Sequence, residues 1–372
     1  MVRYSNMAHK VIISGGGTGG HIFPAIAIAN ALLRLAPDTE ILFVGAEGKM
    51  EMERVPAAGY EIVGLDIVGI NRKSLLKNLA LPFKMLKSLL KARSVLKKFD
   101  AEIAIGVGGY ASGPLLMMAN MMGLPTIIQE QNSYAGVTNK KLGAKAKKIC
   151  VAYEGMDRFF PSERILLTGN PIRKSSVAIE NKRSEGMNAF ALDLDKKTIL
   201  VTGGSLGALT LNDCIKAGIS KFVEAGVQVI WQCGGYYYDQ LKAELDDTLP
   251  EGIKLLPFLD RMDYAYAAAD VIVARAGAGT ISELCVIGKP VVLVPSPNVS
   301  DDHQTKNALA LVSKDAALMV KDNEARHVLV DTLLNLLNDE SKMQTLGHEI
   351  NKLALPDADV VIAQEVLNLI KK

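Results

Sequence analysis

Short apolar runs alternate along the chain with longer segments of helical periodicity. In the first half, the apolar runs predict strands at residues 10–14, 41–44, 61–65, 103–107, 126–129 and 148–151. Helical patterns fill most of the intervals, at residues 23–34, 75–98, 112–122 and 135–142. This alternation is typical of a parallel sheet whose strands are joined by right-handed helical crossovers.

The same pattern starts again in the second half, after a polar and weakly patterned segment at residues 174–197 that we interpret as an interdomain connection. It predicts a helix at 209–217 and strands at residues 198–202, 228–232, 253–256, 271–274, 291–294 and 317–320. We therefore expect an α/β protein of two Rossmann-like domains, residues 1–168 and 169–356, with parallel sheets facing a cleft. An amphipathic C-terminal helix within residues 357–372 is expected to cross back to the first domain.

The composition fits this architecture and limits the partners. The 372 residues suit two domains, and the chain is 49% hydrophobic but only 5% aromatic. The net charge of +2 excludes a general polyanion binder, so any basic patch is local. The four cysteines are widely spaced, which predicts reduced thiols in a cytosolic protein and no metal site. No apolar run reaches the roughly 18–20 residues of a membrane span.

Glycine-rich loops follow two of the predicted strands in the first half. Residues 14–24 read SGGGTGGHIFP, and residues 106–114 read GVGGYASGP, which contains Gly108, Gly109 and Tyr110. Glycines allow a ligand to approach the backbone, and the start of the following helix attracts an anion. Because both loops lie at the carboxyl edge of one sheet, we expect them to share an anion site. His21 adds an imidazole that titrates near neutral pH.

The first loop also contains the G-x-G-x-x-G spacing of a dinucleotide site, through Gly15, Gly17 and Gly20. Such a site needs an acidic residue at the end of the second strand, but here the strand continues into Gly45 and Ala46. This disfavours a nicotinamide-dependent oxidoreductase, which stays open as an alternative to a transferase or a non-catalytic nucleotide-sugar-binding protein.

Two more loops of the same kind occur in the second half, at residues 203–208 and 274–283. Glu283 comes one turn into the predicted helix, where it can accept two hydroxyls of a ribose or act as a capping carboxylate. Gln304 and Asn307 are three residues apart, so on one helical face they can bind sugar hydroxyls or form a solvated helix start.

A basic and leucine-rich stretch spans residues 72–98 and holds nine lysines and arginines and no acid. This pattern predicts an amphipathic helix on an anionic membrane surface, with a crossover helix that exposes its lysines as the alternative. Nucleic acid is disfavoured, since interleaved aromatic residues are nearly absent.

The motifs at residues 14–24, 106–114, 129–132, 169–173, 203–208 and 277–283 together resemble those of the MurG family of bacterial N-acetylglucosaminyltransferases. The resemblance implies the GT-B fold and transfer of N-acetylglucosamine from UDP-N-acetylglucosamine to the C4 hydroxyl of undecaprenyl-pyrophosphoryl-N-acetylmuramyl-pentapeptide. The reaction inverts the anomeric centre and forms the lipid-linked disaccharide for peptidoglycan. The resemblance also implies a peripheral enzyme on the cytoplasmic side of the cell membrane, without a cofactor or essential metal.

The resemblance assigns substrate contacts to Thr18, Gly19, Gly20, Asn132, Arg173, Ser205, Leu259, Ala278, Gly279, Thr280, Ile281, Ser282, Glu283 and Gln304. His303 is the neighbouring alternative to Gln304, and Gly279 stands where relatives commonly have a larger apolar residue. The loops of the first domain are expected to hold the acceptor pyrophosphate. An alcohol is a poor nucleophile until a base removes its proton, and the candidates are His21 and, second, Glu130.

Overall fold

The computed structural model describes residues 8–67, 81–204, 206–245 and 248–370. The chain divides into two compact units, Met1–Ile172 with Asp357–Lys372 and Arg173–Pro356. The elements of the first unit are β1 (Lys10–Gly15), α1 (Gly19–Leu35), β2 (Glu40–Ala46), α2 (Glu51–Ala57), β3 (Glu61–Leu65), α3 (Leu81–Phe99), β4 (Ile103–Gly108), α4 (Ser112–Met121), β5 (Thr126–Glu130), α5 (Val137–Gly143), β6 (Lys148–Val151) and β7 (Ile165–Leu167).

The second unit continues the alternation. Its elements are α6 (Lys174–Val177), α7 (Arg183–Ala189), β8 (Thr198–Thr202), α8 (Leu209–Glu224), β9 (Gln228–Gln232), α9 (Gly235–Leu245), β10 (Ile253–Leu256), α10 (Met262–Ala268), β11 (Val271–Ala274), α11 (Ala278–Ile287), β12 (Val291–Leu293), α12 (His303–Val312), β13 (Leu318–Met319), α13 (Asp322–Leu337) and α14 (Glu340–Asn351). The last helix, α15 (Ala358–Ile370), belongs to the first unit.

Each unit is organised around one parallel sheet in the part of the chain that the structure describes. The strand order is β3-β2-β1-β4-β5-β6-β7 in the first unit and β10-β9-β8-β11-β12-β13 in the second. In the first sheet the order reverses between β1 and β4, which pair side by side from Val11 with Ile103 onward. Ligands in open parallel sheets bind where the strand order reverses, and both glycine loops of this unit begin there.

Alternating side chains of β1 enter separate hydrophobic clusters on the two faces of the first sheet. Val11 and Ile13 pack with α1 and with Ile362 and Val366 of α15, whereas Ile12 packs with the cluster that includes residues of α3 and α4. An ion pair of 2.6 Å between Arg34 and Asp359 also joins α1 to α15. Burial on both faces explains why these strands appear in the sequence as continuous apolar runs.

The predicted parallel α/β architecture is confirmed, and each predicted strand is present within two residues of its expected ends. The sequence interpretation did not include α2 or β7, and in the second unit it did not include α6, α7, α9, α10, α13 or α14. The predicted helix at 75–98 is described from Leu81 onward, and its first residues lie outside the described part of the chain.

The interpretation of residues 174–197 as an interdomain connection is wrong. These residues include α6 and α7, which belong to the second unit, and Met187 of α7 is fully buried. Lys182 pairs with Asp263 of α10 at 2.8 Å, and Arg183 donates to the carbonyl oxygen of Ala268 at 2.8 Å. The segment looked like a linker because its polar side chains bond to partners that are distant in sequence.

Candidate active site

The two glycine loops of the first unit are in direct contact. The Gly16 N–H donates to the carbonyl oxygen of Gly108 at 3.2 Å. Gly109 has φ +92°, and a Cβ there would lie 2.4 Å from the Gly16 carbonyl oxygen. A Cβ on Gly108 would lie 2.5 Å from Cδ2 of the His21 ring. These glycines are therefore needed to bring the loops together and to seat the imidazole, while Tyr110 follows with its ring about half exposed.

The imidazole of His21 is oriented by its own loop. Nδ1 lies 3.0 Å from the carbonyl oxygen of Gly16 and 3.3 Å from Oγ1 of Thr18. A carbonyl oxygen only accepts hydrogen bonds, so Nδ1 carries the proton in this contact. In the neutral ring Nε2 is then the basic nitrogen. This is the tautomer that a general base acting through Nε2 requires.

The start of α1 supplies donors for an anion. The N–H groups of Gly19 and Gly20 are in the first helical turn and have no acceptor within the helix, and the positive end of the helix dipole lies there. The preceding N–H, of Gly17, instead donates to Oε2 of Glu51 at 2.8 Å. The buried Glu51 was not among the predicted residues, since the sequence interpretation did not include α2 and nothing in the sequence shows that this carboxylate is buried.

Glu130 is almost completely buried and its carboxylate accepts hydrogen bonds from four donors. They are the backbone N–H groups of Asn132 and Gly136 and the side-chain amides of Asn132 and Asn139. A carboxylate engaged in this way holds the loop after β5 in shape. The geometry argues against the prediction that Glu130 is an alternative base, and it makes the position of Asn132 depend on Glu130.

A chain of buried amides connects that loop to the end of the first unit. Nε2 of Gln129 donates to Oδ1 of Asn170 at 2.8 Å, and Nδ2 of Asn170 donates to the carbonyl oxygen of Gln131 at 3.1 Å. Gln131 in turn donates to the carbonyl oxygen of Val107. The polar motif at residues 129–132 thus braces the backbone around the second glycine loop.

In the second unit, Glu283 is held by a tyrosine. The hydroxyl of the fully buried Tyr266 donates to Oε2 of Glu283 at 3.1 Å. Burial raises the pKa of the Glu283 carboxyl, and the Tyr266 hydrogen bond and the nearby positive charge of Arg173 partly oppose that rise. Burial, together with the Glu283 carboxylate, raises the pKa of Tyr266 well above its usual value, so the hydroxyl remains a donor. Tyr266 was not predicted.

The predicted residues 278–283 form the first turns of α11. Ser282 donates from Oγ to the carbonyl oxygen of Ala278 at 3.0 Å, and Ile281 is in the core. A Cβ on Gly279 would meet nothing within 4 Å, so the backbone here has room for a Cβ. Thr280 lies in the same first turn, where the positive end of the helix dipole favours an anion.

The remaining predicted contacts differ in exposure. Oε1 of Gln304 accepts from the Ser296 N–H at 2.8 Å, which fixes this side chain at the start of α12. Asn307 is fully buried and donates to the carbonyl oxygen of Ala276 at 3.4 Å. This burial argues against the predicted contact between Asn307 and the sugar. Leu259 is nearly buried. Ser205 lies outside the described residues.

The chain matches two family models, the glycosyltransferase family 28 N-terminal domain at residues 11–151 and the family 28 C-terminal domain at residues 198–362. It is 55% identical over 363 residues to a Bacteroides thetaiotaomicron protein named UDP-N-acetylglucosamine--N-acetylmuramyl-(pentapeptide) pyrophosphoryl-undecaprenol N-acetylglucosamine transferase, covering 97% of each chain. A Flavobacterium psychrophilum protein of the same name is 48% identical, with 98% of each chain covered.

A solved structure agrees with the sequence relatives. The crystal structure of Acinetobacter baumannii MurG superposes with a TM-score of 0.78 at 29% identity, covering 98% of this chain and 99% of the other. The two parallel α/β domains are accordingly those of the GT-B class. The chain belongs to glycosyltransferase family 28, within the MurG family of N-acetylglucosaminyltransferases.

Proposed function

We propose that this protein transfers N-acetylglucosamine from UDP-N-acetylglucosamine to the C4 hydroxyl of undecaprenyl-pyrophosphoryl-N-acetylmuramyl-pentapeptide. The observation that carries this proposal is the 55% identity, over 97% of both chains, to a transferase named for that donor and acceptor. The loops described above supply the groups that this reaction needs.

The reaction is a single displacement that inverts the anomeric carbon. Nε2 of His21 takes the proton from the acceptor hydroxyl while the oxygen forms its bond to the anomeric carbon. The bond between that carbon and the diphosphate breaks, and UDP leaves with the electron pair. The Gly16 carbonyl oxygen holds the Nδ1–H and so keeps Nε2 as the accepting nitrogen.

The phosphate groups of both substrates bind at helix N-termini in this proposal. In the second unit, the first turn of α11 stabilises the diphosphate as its negative charge grows. The carboxylate of Glu283, held by Tyr266, accepts hydroxyls of the ribose. In the first unit, the N–H groups of Gly19 and Gly20 bind a phosphate of the lipid-linked acceptor.

The acceptor is a lipid, and the first unit has an apolar surface suited to a membrane. Phe83, Leu86 and Leu90 of α3 are all more than half exposed, and Met117 and Met121 of the adjacent α4 are exposed as well. An exposed apolar cluster of this kind marks a membrane or partner surface. Among the described helices, none is long and apolar enough to cross a bilayer. We infer peripheral binding, on the cytoplasmic side of the membrane.

The positive charge available on this surface is smaller than the sequence of residues 72–98 indicates. Although residues 72–98 contain no acid, Asp66 accepts from Lys84 at 2.9 Å and from Lys87 at 3.4 Å, and Glu47 accepts from Lys91 at 2.8 Å. Three lysines of α3 are thus paired within the protein. Apolar insertion therefore contributes more to membrane binding than the charge count of the sequence indicates.

The membrane proposal is tested by sedimentation with vesicles that contain anionic lipid. Replacing Leu86 and Leu90 together with glutamine is expected to reduce vesicle binding at least tenfold, because two exposed leucines are lost. Leu194→Gln, at an exposed leucine of the second unit, is the matched control and is expected to bind as the wild type does. Equal binding by all three proteins contradicts the proposed surface.

The main experiment measures transfer of radiolabelled sugar from UDP-N-acetylglucosamine to a muramyl-lipid analogue, with and without EDTA. The wild type is expected to transfer in both conditions, and His21→Ala to lose 100-fold or more in turnover while its UDP affinity is unchanged. Donor binding without transfer by the wild type indicates a non-catalytic binding protein. Near-normal turnover of His21→Ala excludes this residue as the base.

A further inference from the structure

A buried carboxylate lies beneath the first glycine loop. Glu51, the first residue of α2, is 1% exposed. Its Oε1 accepts from the Ala46 N–H at 3.0 Å, and its Oε2 accepts from the Gly17 N–H at 2.8 Å. A buried carboxylate requires such partners, and here both of them are backbone donors. The side chain therefore fastens the end of β2 to the loop that precedes α1.

The backbone around Glu51 is shaped to receive it. A Cβ on Gly16 would lie 2.2 Å from Oε1 of Glu51, and a Cβ on Gly45 would lie 2.6 Å from its Cγ. Two glycines, one in the first glycine loop and one near the end of β2, thus leave the space that this one side chain fills. Gly17 has φ +82°, a conformation that favours glycine.

The Glu51 carboxylate and the His21 imidazole bind opposite ends of one peptide group. The N–H of Gly17 and the C=O of Gly16 belong to the same planar amide. Glu51 accepts from that N–H, and the same amide's oxygen accepts from Nδ1 of His21 at 3.0 Å. The orientation of this amide plane therefore sets where the imidazole can point. Because hydrogen bonds in a chain polarise one another, the carboxylate also makes the carbonyl oxygen a better acceptor.

We propose that Glu51 is a positioning residue for the catalytic histidine and acts through the Gly16–Gly17 peptide group. It holds the amide plane so that the carbonyl oxygen keeps the proton on Nδ1 and directs Nε2 toward the acceptor hydroxyl. Glu51 touches neither substrate in this arrangement. The inference rests on the proposed function, since it needs His21 to be the base.

The test is a double-mutant cycle on transfer. Glu51→Gln keeps the shape, but its one carbonyl oxygen can satisfy only one of the two backbone donors. A base displaced by about 1 Å can cost roughly 100-fold, so we expect kcat to fall about 10- to 100-fold. The donor KM is expected to stay within twofold. In a His21→Ala background, Glu51→Gln is expected to change kcat less than twofold, because the group it positions is gone.

The controls separate positioning from folding and from the reaction itself. Glu53→Gln changes an exposed carboxylate on the same helix and is expected to have wild-type kcat. Thermal melting shows whether each variant is folded at the assay temperature. If Glu51→Gln is unfolded, Glu51→Asp replaces it, because aspartate keeps the carboxylate but has a shorter side chain. A loss of kcat that is equally large with and without His21 overturns the inference, as does wild-type kcat in Glu51→Gln. Failure of the wild type to transfer instead overturns the proposed function.

Discussion

The hydrogen bond between Tyr266 and Glu283 should govern how donor binding depends on pH. Tyr266→Phe keeps the buried ring and removes only the hydroxyl that donates to Oε2 of Glu283 at 3.1 Å. In the wild type, burial already raises the pKa of Glu283, and the tyrosine hydrogen bond is one of the effects that oppose this rise. The variant should therefore protonate Glu283 at a higher pH than the wild type does.

The size of the effect follows from the strength of the lost bond. A hydrogen bond to a charged group contributes about 1.5–3 kcal/mol. If Glu283 must be ionised to accept both ribose hydroxyls, UDP affinity falls as the pH drops through the pKa of this carboxyl. At a mildly acidic pH the variant should thus bind UDP about 10- to 100-fold more weakly than the wild type, since 1.4 kcal/mol is tenfold. The difference should shrink as the pH rises and both proteins become ionised.

Titration calorimetry with UDP between pH 5 and pH 8 measures this difference. Tyr264→Phe is the matched control, because Tyr264 lies on the same helix and also donates to a glutamate, the exposed Glu185, at 3.0 Å. Its curve of affinity against pH should follow that of the wild type. Superimposable curves for the wild type and Tyr266→Phe would refute the reasoning, and so would an equal loss when Glu283 is already glutamine.

Three further predictions concern single positions. Gly109→Ala should abolish most transfer and lower the melting temperature, since a Cβ would lie 2.4 Å from the Gly16 carbonyl oxygen. Gly123→Ala is the control: Gly123 has φ +79° and no atom within 4 Å of a Cβ, so this change should cost only about 1 kcal/mol of strain. Gly279→Ala should stabilise the protein to urea by about 0.5–1 kcal/mol, because the site is open and helical. Burial lowers the pKa of Lys289 to about 8 from 10.5. Between these two pH values the unfolded chain keeps a proton on this lysine that the folded protein has lost. The unfolding free energy of the wild type, measured relative to Lys289→Met, should therefore rise between pH 8 and 10.5 and be lowest below pH 8.

The architecture could be predicted because the strands are buried on both faces. Residues 11–13 of β1 are fully buried although they point to alternate faces, so a plain apolar run marks the strand. β7 escaped prediction because Ile165–Leu167 is three residues long, at the edge of the sheet, and only partly buried. The seven-residue α2 begins with the buried Glu51, which breaks the apolar pattern expected of a core helix.

Contacts between distant residues are the part of the site that the sequence does not display. The basic stretch at 72–98 looked unbalanced because Asp66 and Glu47, which pair with its lysines, precede it in the chain. Asn307 looked available to a sugar because helical spacing places it near Gln304, yet it is fully buried. A pattern of spacing identifies the face of an element, but the packing of the next element decides whether that face reaches a ligand.

The first glycine loop shows most clearly how such packing changes a chemical conclusion. In the sequence, each of its glycines counts as one more N–H offered to an anion. In the structure, the Gly16 N–H is used by Gly108 and the Gly17 N–H by Glu51, which leaves the donors at Gly19 and Gly20 in the first turn of α1. The first part of the loop, at Gly16 and Gly17, therefore holds the amide that orients His21. The number of glycines in such a loop reflects how closely backbones and side chains must pack around the base, as well as how many phosphate oxygens the loop can bind.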